Sequence, residues 1–181
     1  MEEIVKVEKR GNVEIIRLRK KRKVERNFCA KRIWYKIKAF FHPKAQWITA
    51  DQAINLLIKE IGNYNYHLLL ADEKYRVLPY ESMVELINKD DTKQFEWVED
   101  TYDCDNFSLC SAANLSRFTY PLGVCYGELW FCSKSQGYCH AINIFICEKD
   151  GNLTVLCAEP QNGQIFSYNK EDWQCLMIKI C

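Results

Sequence analysis

No run of apolar residues in this chain approaches the roughly 18–20 needed to cross a bilayer, and Met1-Glu2-Glu3 is acidic with no apolar stretch behind it. Neither a transmembrane segment nor a signal peptide is expected. Glycine and proline are scarce, at 7 and 4 of 181 residues, which excludes collagen-like and low-complexity classes. Hydrophobic residues at 48% and aromatics at 13% exclude a disordered chain. Cys-x-x-Cys spacing is also absent, so the ten cysteines (29, 104, 110, 125, 132, 139, 147, 157, 175, 181) do not read as a structural zinc site. Without a signal peptide they argue for a reducing, cytoplasmic compartment, with most of them packed as buried free thiols.

A net charge of +1 hides an asymmetry. Residues 1–45 hold 15 of the 25 basic and 5 of the 24 acidic residues, a balance of +10, which leaves −9 for 46–181. The chain divides into a basic N-terminal arm, 1–45, and an acidic body, 46–181. Within the arm, Val13 to Arg19 mixes β-branched residues with charges and predicts one short strand. Phe28, Ile33, Trp34, Ile37, Phe40 and Phe41 then recur at helical spacing among lysines and arginines and predict a basic amphipathic helix ending before Pro43. Residues 17–38 could contact a polyanion, but four aromatics on one stripe favour docking on the acidic body.

In the body, Thr49 with Gln52 forms a capping box ahead of an apolar stripe that ends at Gly62. A second helix is expected from about Tyr80 to Asn88 and a third over 105–118, which opens on the capping residues Asp105 and Asn106. His67 stands alone in an apolar run and reads as a satisfied histidine. Four segments rich in β-branched and aromatic residues and cysteine, 123–132, 138–148, 153–159 and 173–181, are separated by turn signals, of which Asp150-Gly151 is the sharpest. They predict an antiparallel sheet, and the fold class is α+β.

Cys104 lies where the third helix begins, in Tyr102-Asp103-Cys104-Asp105-Asn106. The positive end of a helix dipole and its unpaired N–H groups would lower a thiol's pKa and supply an oxyanion donor, whereas bare Asp103 and Asp105 would oppose the thiolate. His140 opens a strand and Glu159 ends the next, so antiparallel pairing brings imidazole and carboxylate to one sheet edge. A helix crossing that edge would add Cys104, giving a nucleophile, a base and an orienting carboxylate in papain-like order. Asn143, three positions after His140, faces the other side of the strand and is a doubtful member of the triad. Gln161 reads as a turn residue, and Trp130 and Trp173 as core or cleft-wall aromatics.

Three blocks, Tyr-Asp-Cys-Asp-Asn-Phe-Ser (102–108), Gly-Tyr-Cys-His-Ala-Ile-Asn (137–143) and Ala-Glu-Pro-Gln-Asn-Gly (158–163), resemble the signatures of the agglutinin C-terminal domain family. This is a papain-like, calcium-dependent cysteine protease domain of mushroom agglutinins, with relatives in bacteria and phages. The resemblance covers about residues 75–181. It implies a papain-like fold with the nucleophile helix packed on an antiparallel sheet. It also implies Cys104 as nucleophile, His140 as base, Glu159 as orienting carboxylate, and Ca²⁺ held by Asp103 or Asp105. The β-trefoil repeats that precede this domain in the mushroom protein are not seen, so no sugar binding is carried over. The expected function is a cytoplasmic cysteine peptidase or amidohydrolase, of viral, phage or bacterial origin, acting on a protein or peptide substrate. A transglutaminase-like acyl transferase would use the same three residues. The alternative is a catalytically silent papain-like module whose basic arm engages nucleic acid, membrane or a protein.

Overall fold

Thr49 and Gln52 start the first helix as a reciprocal cap: the Gln52 N–H donates to Thr49 Oγ1 (3.2 Å) and the Thr49 N–H donates to Gln52 Oε1 (2.8 Å). The helix, α1 (Ala50–Ile61), ends where Gly62, at φ 102°, turns its N–H back to the Ile58 carbonyl. Ala50, Ala53, Ile54, Leu57 and Ile61 form its buried stripe. This computed structural model describes residues 2–20, 45–62, 65–119 and 123–180. The amphipathic helix expected over Phe28–Phe41, and most of the 17–38 polyanion contact, lie outside the described residues.

Two further helices, α2 (Tyr80–Lys89) and α3 (Cys104–Thr119), fall where the pattern places them, and a 3₁₀ turn at Thr92–Gln94 lies between them. The strands are β1 (Glu2–Arg10), β2 (Val13–Lys20), β3 (Gln46–Thr49), β4 (Tyr66–Leu70), β5 (Lys74–Pro79), β6 (Tyr126–Ser133), β7 (Cys139–Lys149), β8 (Asn152–Ala158), β9 (Ile165–Phe166) and β10 (Trp173–Ile180). They join in one ten-stranded sheet ordered β1-β2-β4-β10-β6-β7-β5-β3, with β8 paired to β7 and β9 to β8. Asp150 and Gly151 close the β7–β8 hairpin with φ of 52° and 78°, the paired positive values a tight two-residue turn requires.

The papain-like α+β class expected from the sequence is corrected by this architecture. Strands dominate, and the sheet is mixed: β2 runs parallel to β4, β4 to β10 and β5 to β7. The cause lies in segments read as arm or connection. Residues 2–20 form a two-strand hairpin where one short strand was predicted, and Tyr66–Leu70 forms a strand between β2 and β10 where a packed connection was predicted.

Alternation along β7 divides the core. Ile142, Ile144 and Ile146 face α1 together with Leu129 and Phe131, while Phe145 and Cys147 face α2 and α3 with Tyr126, Met83 and Leu115. Each fully buried large side chain contributes about 1.5–3 kcal/mol, so β7, apolar on both faces, anchors the whole sheet. Gly127 fits the β6–β10 contact because a Cβ there would lie 1.9 Å from the Lys179 carbonyl oxygen.

Candidate functional site

The edge of β7 is open at its start, because its pairing with β8 begins only at Asn143↔Ala158. Residues 139–142 hold one edge against β6 and leave the other free. Glu159 follows the last residue of β8 and returns to that free edge, where its Oε2 lies 2.8 Å from His140 Nε2. The carboxylate is fixed from behind. Gln161 N–H donates to Glu159 Oε1 at 3.2 Å, and Gly163, at φ 75°, donates to the Glu159 carbonyl at 2.7 Å, closing the Pro160–Gly163 turn. The pair is half-shielded, with 24% and 16% of the two side chains exposed. Phe131, stacked on Trp173 at 4.0 Å, supports the imidazole edge-on, and the ring of Tyr138, 45% exposed, lies 6.4 Å from it.

Cys104 is the first residue of α3, and the Ala141 N–H on the open edge, one residue from His140, lies near enough to its sulfur to favour the thiolate. The helix start is shaped by Asn106, whose Oδ1 accepts from Asp103 N–H at 3.2 Å, and by Asp105, whose Oδ1 accepts from Asn106 N–H at 2.8 Å. The structure thus joins His140 to Glu159 directly and sets Cys104 beside the next residue of the same strand. Its thiol, however, is not lowered as a helix-start thiol was expected to be. Burial pushes it up, and the charges of Asp103 and Asp105 push it further, against the Ala141 and Asp105 N–H groups that favour the thiolate. Asp105 is itself held above its usual range, first by its hydrogen bond with Asp103 and then by burial. Among the described residues no group of three or more His, Cys, Asp or Glu side chains converges as metal donors.

Two features were missed in the sequence. Cys132 and Cys139 sit directly opposite each other on β6 and β7 and form a disulfide. Their places flanking the Ser133–Gly137 turn were the signal available for that pairing. Cys125, Cys147, Cys157 and Cys175 are buried free thiols as expected, and burial raises Cys125 to about 12 and Cys147 to about 11. The second missed feature is a buried clasp between α3 and β7. Ser108 Oγ donates to the Ile142 carbonyl at 2.8 Å, and Asn143 Nδ2 donates to the Ser108 and Gly127 carbonyls at 2.9 and 3.1 Å.

Proteins of known structure with a similar fold include fungal lectins. The PSL1a–E64 complex matches with a TM-score of 0.61 at 24% identity, over 74% of this chain and 51% of that one. Polyporus squamosus lectin bound to the human-type influenza-binding epitope Neu5Acα2-6Galβ1-4GlcNAc matches with a TM-score of 0.58 at 25% identity, over 75% and 49%. The chain therefore spans about half the length of these lectins. No family model and no curated protein matches it. The lectin likeness corrects the expected function: the reading as a cysteine peptidase or amidohydrolase, the hydrolase and phage or bacterial labels, and the nucleic-acid alternative are withdrawn. Among the described residues no helix is long and apolar enough to cross a membrane.

Proposed function

We propose that this chain is an agglutinin-related binding domain whose ligand is a carbohydrate, taken at the open edge of β7. The observation that carries the reading is the fold shared with a lectin bound to a trisaccharide. The site suits such a ligand: the exposed face of Tyr138 offers an apolar platform for a sugar ring, beside an imidazole and a carboxylate that can bond hydroxyls. Asp103, Asp105 and Glu159 gather negative charge here, so neutral or amino sugars are favoured over sialylated ones. The test is a glycan array followed by calorimetry on the full chain. Binding of neutral or amino glycans, lost in Tyr138→Ala, is expected; an array without any ligand overturns the reading.

Cys104, His140 and Glu159 are proposed to act as one unit at this edge, with the thiol as nucleophile, the imidazole as base and the carboxylate as its orienting partner. The Ala141 N–H on the sulfur and the 2.8 Å contact of His140 with Glu159 support it. Iodoacetamide should label Cys104 ahead of Cys110, the other half-buried free thiol among the described residues. Labelling that does not favour Cys104 removes this role. Ca²⁺ is proposed at Asp103 and Asp105, where the ion would supply charge neutralisation beside the thiol.

A further inference from the structure

Cys104 and Ser108 are four residues apart on α3 and so lie on the same face, one turn apart. Ser108 is fully buried and bonds to β7 in both directions: its hydroxyl donates to the Ile142 carbonyl, and its carbonyl accepts from Asn143 Nδ2. Asn143 also donates to Gly127 on β6, so one side-chain amide ties together the helix, its own strand and the neighbouring strand. The residues it fastens are those that place the site, since Ala141 and His140 lie two and three positions upstream on the same strand.

The amide is expensive as a purely structural device. Asn143 is 0% exposed, and its Oδ1 is a buried acceptor with no hydrogen-bond partner among the described residues. An apolar side chain of similar size would fill the space without an unpaired acceptor. What an apolar residue would not do is fix the axial position of α3 along β7.

We propose that Asn143 is a positioning residue, whose amide, acting through Ser108, sets the height of α3 on β7 and so holds the Cys104 sulfur against the Ala141 N–H beside His140. The inference rests on the proposed role of Cys104 as the reactive thiol. It gives a function to a residue that faces away from His140 and never touches a ligand at the edge. It also separates this clasp from the next one along the helix, Ser111 Oγ with Tyr126 Oη at 3.0 Å, which is equally buried but one turn further from the thiol.

The experiment compares wild type, Asn143→Leu, Ser108→Ala and Ser111→Ala by the iodoacetamide rate at Cys104 against pH, with Cys110 as internal reference and thermal melting for stability. A tenfold or greater loss of the Cys104 rate at pH 7 is expected in Asn143→Leu. A smaller loss in Ser108→Ala and an upward move of the pH midpoint in both should accompany it, whereas Ser111→Ala loses comparable stability and keeps the wild-type profile. If Asn143→Leu does not fold, the contrast between Ser108→Ala and Ser111→Ala decides alone. Rates that follow melting temperature across all variants make the clasp merely structural and overturn the proposal. Wild-type labelling that does not favour Cys104 is a different failure: it removes the thiol reading, and the positioning role falls with it.

Discussion

Replacing Asp105 by Asn should make Cys104 more reactive, although it leaves every atom of the thiol's own contacts in place. Asp105 raises the thiol through its charge, and its N–H lowers it; the substitution removes only the first. Two unit charges about 4 Å apart interact by about 1 kcal/mol in water and about four times that at an effective dielectric near 20. Both residues are half-buried at a solvent-facing edge, so the lower figure governs. About 1 kcal/mol multiplies the thiolate population roughly fivefold, and the weaker nucleophilicity of a more acidic thiol takes back about half of that on a logarithmic scale. The net expectation is an iodoacetamide rate at Cys104 about two- to threefold higher at pH 7, read by mass spectrometry of the labelled peptide. Asp150→Asn, in the tight turn at the far end of β7, is the control and should change nothing. The same variant carries a stability signature. A carboxyl held above its usual range is best tolerated when protonated, so the wild type loses stability as pH rises through the ordinary aspartate value towards the raised one. Asp105→Asn avoids that loss, partly offset by about 0.3–1 kcal/mol of favourable charge at a helix start. Its advantage over wild type should therefore be present at neutral pH and vanish in acid. An unchanged or slower alkylation rate refutes the charge argument.

Glu159→Gln keeps an oxygen for the Gln161 N–H but replaces the carboxylate facing His140 by a neutral amide, so the loss of the charge-assisted bond should cost about 1 kcal/mol in denaturant unfolding; a cost below about 0.3 kcal/mol would mean that the pair is not formed in solution. Calcium should bind with a heat measurable by calorimetry and should speed labelling of Cys104 as Asp105→Asn does, by neutralising the charge beside the thiol; no heat and no change in rate remove the metal from the proposal. Gly127→Ala places a methyl 1.9 Å from a backbone oxygen on β10 and should forfeit folding or most of the stability, whereas Gly151→Ala, strained only by its φ of 78°, should cost about 1 kcal/mol.

Local signals in the sequence were read well where one segment decides them. The Thr49–Gln52 cap, the Asp150-Gly151 turn and the four C-terminal strands depend on residues within a few positions of one another, and each is found within a residue or two, except that the first strand starts at Tyr126 rather than Gly123. The meeting of His140 with Glu159 was legible for the same reason, since a hairpin register fixes it. What was not legible depends on segments far apart in the chain. Tyr66–Leu70 becomes a strand only because β2 and β10 flank it, and no periodicity within five residues announces two distant parallel partners. The direction of the Cys104 shift also escaped, because helix-start geometry is local while burial under the edge of β7 is not. The clasp escaped for a related reason. In the sequence Asn143 is related only to nearby His140, whereas its partner Ser108 lies 35 residues away on another element.

The crowding of the candidate site onto β7 has a consequence for how the protein opens. Cys104, His140 and Glu159 arise from α3, β7 and the turn after β8, elements joined by contacts among residues 104–159 and centred on a strand apolar on both faces. Such a block should breathe as one cooperative unit rather than residue by residue. In native-state hydrogen exchange, the amides of Ile142 to Ile146 should be among the last to exchange, at the free energy of global unfolding. The β1–β2 hairpin, at the opposite end of the sheet, should exchange through a smaller opening that leaves the site assembled.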